Sequence, residues 1–188
     1  MNGTILFIGW AGFAVYLLAY ALLAAGLLRR GRPYFALNVA AALAVTAVSV
    51  FKGSVQAALI NLAWAVLSAA AFVNARPRAV ASGRAVLRGL IALGLACAAA
   101  LGLAGRWAGA VEALSWTSVA AFVGGYLLFS THAVGRLEFH LLNVIASTSL
   151  LPGLWQDANW PVFALETAWG SIAAVGAVSE EIGEPVEL

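Results

Sequence analysis

Residues 61–64 read Asn61-Leu62-Ala63-Trp64, and residues 166–169 read Glu166-Thr167-Ala168-Trp169. The echo extends outward from both. Trp10, Tyr20 and Asn38 precede the first tetrad as Trp116, Tyr126 and Asn143 precede the second. As patterns, the halves are W-x9-Y-x17-N-x22-N-x2-W and W-x9-Y-x16-N-x22-E-x2-W. One residue of spacing separates them, and it falls where a loop is expected. An internal repeat decides architecture before any single element does. Each repeat is apolar and long enough for three membrane-spanning helices, with one further segment between the repeats.

Composition points the same way. Of 188 residues, 63% are hydrophobic and 10% are charged, and the mean hydropathy is +0.96. Soluble domains carry about 25% charged residues. The chain therefore reads as an all-α integral membrane protein. Its seven transmembrane helices form two parallel three-helix-bundle repeats joined by a linker helix, a 3+1+3 order. Spans are expected near 4–28, 34–51, 54–73, 86–105, 112–131, 139–155 and 159–178. The first repeat would occupy 1–75, the basic loop and linker helix 76–107, the second repeat 108–178, and an acidic tail 179–188. That tail holds Glu180, Glu181, Glu184 and Glu187. The Ala- and Gly-rich run from Leu95 to Gly105 suits close helix packing, as for a linker held between two bundles. Pro33, Pro77, Pro152 and Pro161 fall near expected helix ends, where a missing N–H is tolerated. The single cysteine, Cys97, forms no internal disulfide.

Basic residues orient the chain. Arg29, Arg30, Arg32, Arg76, Arg78, Arg84, Arg88 and Arg136 fall on one side, and only Lys52 and Arg106 on the other. This predicts the N-terminus outside and the C-terminus in the cytoplasm. The net charge of +2 thus belongs to topology and does not call for nucleic acid. Arg29, Arg30 and Arg32 would anchor a helix end and touch anionic lipid.

Helical rise places the repeated residues in depth. Trp10, Trp116, Asn61 and Glu166 would lie about 10 Å below the outer boundary, and Trp64 and Trp169 about 15 Å. Asn61 and Trp64 share a helix face, as do Glu166 and Trp169. These four are the candidate substrate-binding residues, expected to face one another across a central cavity suited to a small polar ligand. Tyr20, Tyr126, Asn38 and Asn143 form an inner polar layer. It would be either a second part of a pathway or a set of helix-to-helix hydrogen bonds. Glu166, whose repeat partner is neutral, is the only formally charged residue expected at hydrocarbon depth. Intramembrane carboxylates point to function by default. Its roles would be proton coupling or hydrogen bonding to a solute; the alternative is a structural Glu bonded to Asn61 or a backbone carbonyl. Trp107, Trp155 and Trp160, with Trp10 and Trp116, sit at helix ends where an aromatic belt is expected. His132 and His140 read as loop or interface histidines. The chain shows no nucleophile–base pair, metal motif or phosphate loop, so no enzyme activity, metal or cofactor is expected.

The paired pattern resembles the SWEET and PQ-loop-like sugar transporter superfamily, in which two parallel three-helix bundles flank one linker helix. Each half also resembles a small uncharacterised bacterial three-helix membrane domain. The matching residues are Gly9-Trp10 (Ser115-Trp116), Tyr20 (Tyr126), Leu37-Asn38 (Leu142-Asn143), and Asn61 with Trp64 (Glu166 with Trp169). In those transporters a pair of asparagines on helices three and seven faces the substrate, and Asn61 and Glu166 stand at the matching positions. Their first helices bend at prolines, whereas residues 5–28 and 113–131 have none, and the Pro-Gln signature is absent. The resemblance implies a small polar-solute transporter or facilitator with its site between the repeats. The alternative is a non-transporting scaffold or accessory subunit of a larger membrane complex. Expected partners are membrane lipid, a small polar solute, and a membrane-protein partner or second copy. The expected location is the bacterial inner membrane.

Overall fold

Long apolar runs, bounded by glycine, proline and arginine, set the elements. The computed structural model describes residues 3–24, 27–29, 31–73 and 83–182. Arg30, Arg76, Arg78, Pro77, Glu184 and Glu187 lie outside them. Seven helices follow in order: α1 (Gly3–Ala24), α2 (Arg32–Lys52), α3 (Val55–Phe72), α4 (Gly83–Leu103), α5 (Trp107–Ser130), α6 (Arg136–Gln156) and α7 (Trp160–Ile182). Each contains a stretch long and apolar enough to cross a membrane, and the described residues contain no strand. The protein is an all-helical, seven-span membrane protein.

Two details of α5 differ from expectation. It starts at Trp107, directly after the left-handed turn at Gly105 that ends α4. Gly109 alone does not interrupt the helix between Arg106 and Glu112, so Glu112 sits inside the span. Glu166 is therefore not the only carboxylate there. The Trp116 indole N–H donates to Glu112 Oε1 at 2.7 Å, which gives that carboxylate a local partner. Further along, Ala120–Gly124 is π-helical. A π-segment widens one turn and offers a bending point without proline. It has no counterpart in α1.

The α2–α3 and α6–α7 turns solve one geometric problem with different residues. Gly53 ends α2 with φ 76°, and the Ser54 N–H closes the turn on Ser49 O at 2.9 Å. At the equivalent position of the second repeat, Ala158 holds φ 50°. A Cβ in the left-handed region costs about 1–2 kcal/mol. Part of that is offset by glycine's greater freedom in the unfolded chain. Ala158→Gly should therefore stabilise the protein by up to about 1 kcal/mol, read as a higher Tm of the purified protein.

The chain forms two compact units that are not simply the two repeats. Of the described residues, those within 3–73 and 157–165 make up the first, and those within 83–156 and 166–182 the second. In the first unit α2 packs against both α1 and α3. Its buried Asn38, Ala41, Ala42, Val45, Val48 and Ser49 recur at helical spacing along one face. Small residues bring α1 close: a Cβ on Gly9 would lie 2.9 Å from Val48 Cγ1, and one on Gly12 2.9 Å from Ala44 Cβ. In the second unit the equivalent pair to Gly9 and Val48 is Ser115 and Gly153. There a Cβ on Gly153 would meet Ser115 Oγ at 2.6 Å. The glycine has changed helices while the close crossing has stayed.

The linker α4 leans on α5. Leu87, Ile91 and Ala98 are its buried residues and lie on one stripe. Val86, Leu90, Leu93 and Leu103 are exposed, as is Cys97. Within the small-residue run from Leu95 to Gly105 the buried residue is Ala98, and the close crossings with α5 lie nearer the start of α4, at Gly94 against Thr117 and Leu87 against Gly124. Most of α4 presents apolar side chains outward, as a lipid-facing helix does. Its first turns are tied to α6 by Arg84 and Arg88, which both engage the Glu138 carboxylate.

Candidate functional site

In the first unit, Asn61 of α3 is 3% exposed and is engaged at both ends of its amide. The Tyr16 hydroxyl of α1 donates to Oδ1 at 3.5 Å, and Nδ2 donates to Ala57 O at 2.9 Å. Both atoms of this buried amide are thus used within the protein, as polar groups in hydrocarbon require.

The second repeat substitutes this constellation at three positions at once. Phe122 stands for Tyr16, Glu166 for Asn61, and Ser147 for Ala42. Glu166 of α7 is 4% exposed. Its Oε2 lies 3.0 Å from Ser147 Oγ of α6. The polar partner has moved from the first helix of the repeat to the second. Gly170, one turn beyond Glu166, permits the approach, since a Cβ there would lie 3.0 Å from Ser147 Cβ.

The inner layer is more closed than expected. Asn38 Nδ2 donates to Tyr34 O at 2.8 Å, and Asn143 Nδ2 to Phe139 O at 2.7 Å. Both bonds run back within the same helix rather than between helices. Asn143 Oδ1 does accept across helices, from Trp169 Nε1 at 3.2 Å. In the second unit, then, a deep tryptophan and an inner asparagine form one connected group. Tyr20, Tyr126, Trp64 and Trp169 are half-buried. Asn61 and Trp64 belong to the first unit, Glu166 and Trp169 to the second.

The remaining aromatic and charged residues separate cleanly. Trp10, Trp107, Trp116, Trp155 and Trp160 are exposed, as belt residues would be. His140 packs against Gly176, where a Cβ would meet its ring at 2.6 Å, so it is an interface histidine. His132 closes the end of α5 with φ 58°. Among the described residues the ion pairs are Arg84 and Arg88 with Glu138, and Arg136 with Glu180.

A second polar cluster lies in the first unit, at the α2–α3 turn. Asn159, fully buried, donates through Nδ2 to Ser49 Oγ at 3.2 Å and to Ser54 Oγ at 3.1 Å. Ser54 and Asn159 occupy equivalent positions in the two repeats. Asn159 Oδ1 has no hydrogen-bond partner.

Sequence reasoning missed Tyr16, Ser147, Ser49, Ser54 and Asn159. The signal was present in the differences between repeats. Tyr16/Phe122 and Ala42/Ser147 change polarity along with Asn61/Glu166, and Ser54/Asn159 exchanges a hydroxyl for an amide.

Fold and repeat define a class: a seven-span membrane protein built from two like three-helix segments around a linker. A family model matches residues 5–79 and 111–180, which contain every residue of the paired pattern and leave α4 out. The chain belongs to this family, whose function is uncharacterised. No curated protein and no solved structure matches it.

Proposed function

We propose that this protein is a small polar-solute transporter or facilitator of SWEET-like architecture, with Glu166 as the group that handles the solute. The observation that carries the reading is the asymmetry between repeats. One repeat places a neutral amide, used at both ends, where the other places a buried carboxyl group beside a single hydroxyl. A membrane protein that needed only a structural bond would be served by the asparagine already present in the duplicated half. Intramembrane carboxylates are costly and mark solute or ion pathways. In this reading Trp169 contributes a stacking surface, while Asn61, Asn38 and Asn143 hold helices in place. The basic-residue bias supports a membrane orientation with the N-terminus outside, and the resemblance supports the bacterial inner membrane. The protein would move its solute rather than transform it.

The closed amides favour a second reading, a non-transporting accessory subunit that binds another membrane protein or a second copy. Flux separates the two. The purified protein, reconstituted in vesicles, should speed osmotic swelling with a subset of small polar solutes, and Glu166→Gln should abolish that gain. Unchanged swelling with every solute would favour the accessory subunit.

A further inference from the structure

A negative charge held in hydrocarbon needs a counter-charge. Among the described residues, the three ion pairs use Glu138 and Glu180, and Glu166 takes part in none of them. Its hydrogen-bond partner is the neutral Ser147 hydroxyl. One turn along the same face of α7 stands Trp169. Its ring is held by the indole bond to Asn143 Oδ1, and Asn143 is itself fixed through Phe139 O. A carboxylate and an oriented indole on one helix face form a constellation for a compact organic cation. The carboxylate supplies the charge, and the indole supplies cation–π attraction, for which Trp is the strongest of the aromatic residues. A neutral polyol can hydrogen-bond to the carboxylate and stack on the indole, but it leaves the negative charge without a counter-charge.

We propose that Glu166 and Trp169 bind the ammonium group of a small organic amine. The proposal rests on the reading of Glu166 as the solute-handling group and narrows its substrate class. Amine and proton would compete for the same carboxylate. The histidine and the charged groups on α4, α5 and α6 are engaged elsewhere. His140 of α6 packs against Gly176, Arg136 pairs with Glu180, Arg84 and Arg88 with Glu138, and Glu112 of α5 accepts from Trp116.

The test is thermal unfolding of the purified full-length protein with ethanolamine against ethylene glycol, and choline against its uncharged tert-butyl isostere. Glucose serves as a polyol control. At mildly alkaline pH and about a hundred times the Kd, an amine should raise Tm by about 5–11 °C for a chain of this size. The isosteres and glucose should not. Apparent affinity should fall about tenfold per pH unit once the carboxyl is protonated. Glu166→Gln should lose the shift. Should that variant fail to fold, Trp169→Phe provides a second check and should weaken amine binding several-fold.

Stabilisation by the neutral compounds as well as the amines, still lost in Glu166→Gln, would overturn the amine class and leave the Glu166 site standing. Equal amine shifts in wild type and Glu166→Gln would overturn the site itself. Stabilisation by acid alone, dependent on Glu166, would make the proton the bound cation and overturn the amine. No shift under any of these conditions would overturn both the amine site and the solute-handling role.

Discussion

Gly94→Ala should destabilise the protein by about 1–3 kcal/mol, and Thr117→Ala in the same chain should restore most of the loss. A Cβ on Gly94 would overlap Thr117 Oγ1 but lie 3.2 Å from Thr117 Cβ. The first contact is impossible and the second merely tight, so the clash belongs to the hydroxyl position. Thr117 cannot readily swing aside. It is buried, and its Oγ1 donates to Ala113 O at 2.7 Å. Rotating it would strand a hydroxyl, at a cost of about 1–3 kcal/mol. Thr117→Val keeps the shape and should give no rescue. Thermal unfolding of the single and double variants measures this, at about 2–4 °C per kcal/mol for a chain of this size. Equal stability of Gly94→Ala and wild type would mean that α4 does not lie on α5 at this crossing.

Asn159→Leu should cost about 2–4 kcal/mol, because two buried serine hydroxyls lose their donor together. Ser49 and Ser54 are almost fully buried, so water does not replace the amide without opening the turn. The loss should shrink when both serines also become alanine, since removing all partners of a buried polar group is far less costly than removing one. Asn159 Oδ1 is already without a partner, so its removal relieves a small part of the cost. A triple variant no more stable than Asn159→Leu would mean that the amide contributes through packing rather than hydrogen bonding.

The seven helices were legible in the sequence because a bilayer-spanning helix must be long and apolar. The repeat supplied the two like segments that the family model matches on either side of α4. The division of the tryptophans was legible in part: Trp107, Trp155 and Trp160 are exposed at helix ends and Trp64 and Trp169 are half-buried, whereas Trp10 and Trp116 are exposed but lie about two turns inside their helices. The candidate site was legible only in part. Identities between repeats led to Asn61, Glu166 and the tryptophans, but Glu166 and Ser147 meet only when α6 and α7 pack. The partner of a buried group is a tertiary fact. A spacing pattern locates the position where polarity changes without locating the side chain that compensates. The inner asparagines failed in a similar way. An amide in a helix can satisfy itself on the carbonyl one turn back, as Asn38 and Asn143 do, and composition does not distinguish that from a bond to a neighbour. The π-segment of α5 lacks a sequence mark as well, since it needs no proline.

The capture of residues 157–165 by the first unit has a consequence for biogenesis. α1, α2 and α3 leave the ribosome early, yet the residue that joins Ser49 to Ser54 is made after six helices. At about 5–20 residues per second, the first three helices wait some 5–20 s in the membrane with two serine hydroxyls unmatched. A chaperone or insertase would find its substrate in that interval. A gene split in the loop before α4 would leave the leading fragment to borrow its asparagine from the trailing one. Such a split pair should assemble only when both fragments are present, and the leading fragment alone should be degraded.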